Sequence, residues 1–529
     1  MGNMATKGQS LKVRRLILIS SVVYILFAQA PASAIDFIFT PNLTIQETYS
    51  DNIRLASKGQ EQGAFVTEVS PGISIRGING SRLNTDFNYR MQNLLNAGGD
   101  GETQINHQLQ LNTGYQVVRN RLNVTARGSY KQQNFSNLRG GDNINNLRAR
   151  TNVWTAGTSV NWTPHFGQFA NASVNINFDY VGNDNADQLA NSMNLSESIN
   201  LFSGRDFKHI TWNVNFDNST QFRENEDNVS FQNTNATVRV WVDRRFNFFG
   251  TAGYANNSFQ GLNTNNNGVF YTVGAQWKPN WYFDVEAGYG NNWHVTSNFS
   301  LSRRTHLSAG YFDRSIGLNT GGAWNASLHH QTKRSTWNFT YLQDTTTVQQ
   351  ILLQNTPFIV VDAAGNPLLG NDGQPIIFNA SLPSLINDVL VRRTATASVS
   401  YTTGKSSFQL GGFYEERDYQ NSTADQQTVY GANASWNWQF SRRTSLLLSP
   451  SWQRITGDAV EVPTNVNVNQ DRYQFIARMT RTIPLSFLSF GRSRLLNASI
   501  EYRFVQQDAD LEVNTYIENR VAASLFWNF

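Results

Sequence analysis

The feature that most constrains this chain is alternation. Leu83, Thr85, Phe87, Tyr89 and Met91 fall on one side of an extended backbone and Asn84, Asp86, Asn88 and Arg90 on the other. The pattern recurs in Ile105 to Tyr115, Leu122 to Tyr130, Trp154 to Trp162 and Ala172 to Tyr180. It closes the chain in Val521, Ala523, Leu525, Trp527 and Phe529. Each run is long enough for a tilted strand to cross a hydrocarbon layer. A soluble sandwich also alternates, so the opposite face decides. In Ile210, Trp212, Val214 and Phe216 the intervening residues are Thr211, Asn213 and Asn215, and the same Asn, Gln, Ser and Thr richness runs throughout. One apolar and one hydrated face predict an all-β fold, a large antiparallel transmembrane β-barrel with lipid outside and water inside.

The N-terminus supplies a route to that membrane. Lys7, Lys12, Arg14 and Arg15 precede the apolar stretch Leu16 to Ala28, and Ala32-Ser33-Ala34 offers small residues for cleavage, so residues 1–34 read as a signal peptide and 35–529 as the barrel. The formal charge of +4 equals those four basic residues, which leaves the remainder neutral and argues against a nucleic-acid partner. The absence of cysteine fits an exported protein and removes thiolate metal sites and cysteine nucleophiles. After Ala34 there is no uncharged apolar run of about 18 residues, so crossing by helix is not expected. The expected location is the outer membrane of a Gram-negative bacterium, with lipid, lipopolysaccharide and the outer-membrane assembly machinery as partners. Leu525, Trp527 and Phe529 would form the assembly signal.

Turns divide the chain into hairpins. Asn79-Gly80, Arg119-Asn120, Pro164-His165, Ser203-Gly204, Asp243-Arg244, Pro279-Asn280, Arg303-Arg304, Lys333-Arg334, Gly404-Lys405 and Arg442-Arg443 mark tight connections. Gly98 to Thr103, Lys131 to Asn146, Gly182 to Leu189 and Asp217 to Ser230 read as longer loops. Short turns would face the periplasm with both termini, and long loops the exterior. The spacing gives about 24 strands, or 20 to 22 if hairpins are miscounted near the N-terminus or between Trp281 and Phe312, where Gly288-Tyr289-Gly290 suits strand or turn.

Chemistry-bearing positions are few. Asp86, Arg90, Glu197, Arg239, Glu286, Arg472, Arg478, Glu501 and Arg503 are too costly to face lipid and are expected at the lumen or a rim. The connection from Thr345 to Asn387 is too long and apolar for an ordinary loop, and Ile351, Leu352, Phe358, Ile359, Ile377 and Phe378 are candidates for a plug or cap. Its Asp, Asn and Gly clusters lack the spaced ligands of a calcium loop, and the seven histidines form no zinc-type cluster. No local arrangement suggests a hydrolase, so neither enzyme activity nor a cofactor is expected. Ser302-Arg303-Arg304-Thr305 and Ser441-Arg442-Arg443-Thr444, with Lys333-Arg334 as a looser third, read as repeated interfacial hairpin turns.

Pro41-Asn42-Leu43, Glu47-Thr48-Tyr49-Ser50-Asp51-Asn52-Ile53, the Ser-Arg-Arg-Thr turns, the apolar interruption and the terminal Leu525 to Phe529 resemble the PEP-CTERM system-associated outer-membrane β-barrel family. The resemblance spans nearly all of the chain after residue 34. It implies a link to exosortase and exopolysaccharide loci, with the barrel as a passive conduit for exopolysaccharide and periplasmic export proteins as partners. A general diffusion porin, and a structural anchor or adhesin with a closed lumen, are the alternative expectations.

Overall fold

The computed structural model describes residues 36–529, apart from 80–81, 99–102, 135–141, 143, 146–149, 185–188, 259–266, 319, 355–357, 360–376, 379–382, 421–425, 458–468 and 486–493. The expected signal peptide, residues 1–34, lies outside the described residues. The chain runs through β1 (Asp36–Ser50), β2 (Ala64–Asn79), β3 (Leu83–Ala97), β4 (Gln104–Val118), β5 (Leu122–Asn134) and β6 (Arg150–Trp162). After the two-residue β7 (His165–Phe166) come β8 (Ala170–Asn183), β9 (Ser192–Ser203), β10 (Ile210–Arg223), β11 (Val229–Trp241), β12 (Phe246–Ser258) and β13 (Gly268–Asn280). Next are β14 (Phe283–Gly290), β15 (Asn292–Ser302), β16 (Thr305–Arg314), β17 (Gly321–Gln331) and β18 (Ser335–Thr347). Helix α1 (Val348–Gln354) and a small ribbon, β19 (Phe358–Ile359) with β20 (Ile377–Phe378), precede β21 (Val389–Thr402) and β22 (Ser406–Tyr419). The chain ends with β23 (Gln426–Ser441), β24 (Thr444–Gly457), β25 (Gln470–Leu485), β26 (Arg494–Ala509) and β27 (Tyr516–Asn528).

Of the 25 strands in the main sheet, β7 pairs only with the start of β8. The other 24 form a closed antiparallel barrel, each strand bonded to its neighbours in sequence. Closure comes from β1 and β27, in register from Asn42↔Asn528 to Ser50↔Arg520, with the Phe529 N–H donating to the Pro41 carbonyl at 2.9 Å. A closed ring leaves no sheet edge, as lipid requires. The interval from Trp281 to Phe312 resolves into true strands, with Asn291 alone separating β14 from β15.

The period of 2 sorts side chains as the sequence predicts. On β27, Ile517, Val521 and Leu525, with Phe529 just beyond it, are exposed on the outer side, while Glu518, Arg520, Ala522 and Ser524 are buried. On β1 the outer residues Phe37, Phe39, Ile45 and Tyr49 alternate with buried Thr44, Thr48 and Ser50. Aromatics mark both edges of the outer band. Trp162, Trp277, Trp337 and Trp438 lie toward the rim that holds the chain ends, whereas Tyr49, Tyr271, Tyr289, Tyr414 and Tyr473 lie toward the other. Tyr430 and Trp438 bracket about 20 Å on a strand tilted by ~40°, close to the height of an outer-membrane apolar band. The chain is a multi-pass outer-membrane β-barrel.

The tight turns share one device. The Ser302 hydroxyl accepts the Arg304 N–H at 3.1 Å, and Ser441 does the same for Arg443 at 3.3 Å. Thr332 accepts from Arg334 and Ser335, and Thr403 from Lys405 and Ser406. Three expected loops are corrected: Lys131 to Asn134 belongs to β5, Gly182 and Asn183 belong to β8, and the third is largely strand. Asp217 to Ser230 is strand as far as Arg223 and again from Val229, because Asn218, Thr220 and Gln221 keep the ladder while replacing apolar residues with polar ones.

Candidate functional site

The lumen is the candidate site, and inward folding of two connections shapes it. The first begins where β18 ends. Val348, Ile351 and Leu352 of α1, with Leu385 beyond the ribbon, form one buried apolar cluster with Val153 of β6, Val181 of β8, Leu189, Leu390 of β21 and Tyr419 of β22. In the ring, β6 and β21 stand half way round from one another, as do β8 and β22. The segment after β18 therefore bridges opposite walls. Polar contacts fasten it: Thr347 donates to Gln221 at 2.8 Å, Gln350 to Ser219 at 3.1 Å, and the Ala190 N–H to Asn387 at 2.7 Å. Ile351 and Leu352 thus lie where a plug or cap residue would. Phe358↔Phe378 and Ile359↔Ile377 pair in the ribbon, and their side chains lie outside the described residues.

The second connection joins β5 to β6. Asp142 accepts from Arg520 at 3.0 Å and from Arg503 at 3.0 Å, across the seam between β27 and β1. Asn145 donates to Glu518 at 2.7 Å, and Ile144 packs with Ile53, Ala64, Val66 and Leu94. Burial opposes ionisation of Asp142, but the charge and hydrogen bonds of Arg520, reinforced by Arg503, outweigh it and hold this carboxyl well below the usual range.

Ion pairs cluster on the wall this loop faces. Glu501 lies between Arg478, whose Nε donates at 2.8 Å, and Arg503 at 3.7 Å. Arg90 pairs with Glu68, which also accepts from Gln92 at 2.8 Å, and Arg472 donates to Gln507 at 2.6 Å. Arg417 lies between Glu415 at 2.8 Å and Gln427 at 3.0 Å. Asp86 faces inward nearer the rim of the chain ends and pairs with Arg76 at 3.1 Å.

The opposite wall carries a different surface. Arg239 donates to Glu286 at 2.6 Å, and His294 lies 3.2 Å from the same carboxylate. Beside them runs a ladder of rings: Phe249 stacks on His294 at 5.7 Å and His294 on Phe312 at 5.9 Å. Arg239 caps one end, 4.9 Å from the Phe249 centroid, and Arg314 the other, 5.4 Å from Phe312. Glycine gives the rings room. A Cβ at Gly288 would approach Phe249 to 2.9 Å, and one at Gly310 would approach Phe312 to 2.9 Å. Above the ladder lies a cavity of about 760 Å³, lined by Asp217, Asn233, Asn235, Thr251, Phe231, Phe270, Phe312 and Arg314. Ser219 also lines it and accepts a hydrogen bond from Gln350 of α1.

Eight of the nine charged residues expected at the lumen or a rim face inward, and Glu197 does not. It shares its side with Leu195, Ile199 and Leu201, opposite Ile176, and accepts from Asn218 at 3.2 Å. Its cost there is relieved because the outward row turns polar, running Glu197↔Asn218↔Gln232↔Asn256 across β9 to β12. Sequence reasoning missed Glu68, Asp142, Asp179, Glu415, Arg417, Glu518 and Arg520. Strand parity marks those on strands as inward, but nothing local in the sequence signals the partner of Asp142. Among the described residues, no group of three or more His, Asp or Glu is placed to hold a metal ion.

No family model matches this sequence, and no curated protein does. Solved structures similar in fold include the siderophore receptor PirA from Pseudomonas aeruginosa, at 9% identity and a TM-score of 0.39, with 95% of this chain and 81% of that one covered. The FrpB iron transporter from Neisseria meningitidis, F3-3 variant, aligns at 12% identity and 0.42, covering 93% and 81%. A variant of the ferric enterobactin receptor PfeA from Pseudomonas aeruginosa aligns at 9% and 0.43, covering 93% and 80%.

Proposed function

We propose that this barrel is an outer-membrane passage for an extended polysaccharide, with the turn rim toward the periplasm. The observation that carries this reading is the chamber beside β10 to β16, where amides, hydroxyls and the Asp217 carboxylate alternate with half-buried aromatic rings. Hydroxyl groups exchange hydrogen bonds with Asn and Thr at little net cost, and ring faces of sugars pack on Phe. Many weak contacts suit movement, since tight capture at one of them would stop it. The chain needs no chemistry of its own for this. Direction would come from synthesis or from periplasmic export proteins. Deleting the gene in its host should remove surface polysaccharide and leave polymer in the periplasm. Unchanged surface polysaccharide would contradict the reading.

A second reading rests on the bridge between opposite walls. The apolar cluster around Val348, Ile351 and Leu385 is built like a core, and a lumen held shut there would suit a structural anchor that presents the connection after α1 to a partner.

A further inference from the structure

We propose that Arg314 and Phe312 form a subsite for an acidic sugar, a ring bearing a carboxylate; this rests on the polysaccharide reading above and names the class of glycan. The lumen's other arginines are held by acceptors of the protein: Arg90 by Glu68, Arg127 by Asp179, Arg239 by Glu286, Arg478 by Glu501 and Arg520 by Asp142 as ion pairs, Arg472 by the Gln507 amide and Arg223 by the Asp227 backbone carbonyl. Arg314 departs from this pattern. Among the described residues it has no carboxylate within ion-pair distance and no hydrogen-bond acceptor, and its one contact of this kind is the face of Phe312. It is half-buried at the end of β16 and lines the 760 Å³ cavity.

A partly desolvated guanidinium without a counter-ion favours an anion, and its planar fork matches a carboxylate in two parallel hydrogen bonds. The adjacent surface restricts which anion. Phe312, stacked on His294 and met on its other face by Arg314, presents an apolar ring edge beside the cation, and Phe231 and Phe270 line the same cavity, while Asn233, Asn235 and Thr251 supply neutral donors and acceptors. Asp217, held by Ser198 at 2.8 Å, lies on the far side of the cavity and would accept hydroxyl protons of the bound ring while disfavouring a second negative group on that ring. A ligand with one carboxylate, one apolar ring face and several hydroxyls satisfies all three. A compact inorganic anion satisfies only the first. The cavity volume falls within the roughly 300–1,000 Å³ of ordinary ligand pockets.

The test is single-channel recording of the purified barrel with trigalacturonate, maltotriose or inorganic sulfate on either side. Trigalacturonate should block at about tenfold lower concentration than maltotriose, as one charge-assisted contact allows. R314Q should remove that difference, R314K should retain part of it, and F312A should weaken block by both sugars. Equal block of wild type by both sugars, or an R314Q barrel that keeps the preference, would overturn the acidic subsite and leave the passage standing. Sulfate as effective as trigalacturonate would overturn the sugar class. An open barrel blocked by neither sugar would overturn the polysaccharide reading itself. Heat-modifiable gel mobility shows whether each variant has folded.

Discussion

Asn52 shows how much one side chain can hold at the barrel's seam. Its amide donates to the carbonyls of Ala56 at 2.8 Å and Ile517 at 3.0 Å and accepts the Ala56 N–H at 2.8 Å, while neighbouring Asp51 accepts from Asn519 at 2.7 and 2.8 Å. Asn52→Ala leaves buried backbone groups without partners and should cost about 1–3 kcal/mol, read as a lower unfolding midpoint in urea. Asp142 latches the connection after β5 to Arg520 and Arg503. A carboxyl held below its ordinary range adds stability above the unfolded value of about 3.9, lost only as pH falls through the depressed folded value. Protease sensitivity of that connection should therefore be the same at pH 5 and pH 7.5 in wild type and raised at both in Asp142→Asn. Sensitivity that rises at pH 5 in wild type would refute the latch. Parity made Arg503 legible as an inward residue. Its partner was not legible, because strand periodicity carries no information on where a loop residue lands across a barrel.

Among the elements, α1 and the segment around Leu385 do most to set the shape of the passage. They put apolar side chains between walls half a circumference apart, where an ordinary loop would remain in water. The run from Ile351 to Leu353 was legible as out of place for a solvated loop, but its docking against Val153 and Val181 was not, since those residues read simply as strand positions. Asp217 to Arg223 misled for the converse reason: Asn and Ser in that stretch resemble a loop, yet the ladder continues wherever polar residues line water on both sides. Leu352→Asp with Leu385→Asp should undock the bridge and raise single-channel conductance at least twofold while the barrel stays heat-modifiable. Unchanged conductance would mean that the bridge does not limit the current.

Across the whole molecule, closure, strand number and the apolar exterior follow from one rule applied strand by strand, so alternation and turn spacing made them legible. The division of the interior did not follow from that rule. It depends on which inward residues meet across the lumen: a dense set of ion pairs around Glu501, Arg520 and Arg417 on one side, and a ring ladder with an amide-lined chamber on the other. A charged wall pinned by its own pairs offers little to a neutral polymer, whereas the chamber offers hydrogen bonds and flat apolar faces. The measurement that tests this account most directly is current through the purified barrel, lacking residues 1–34, in a planar bilayer with and without neutral oligosaccharide. The account predicts stable conductance with sugar-dependent blockage that weakens in Phe312→Ala. A folded barrel that carries no current, or a current indifferent to sugar, would contradict it.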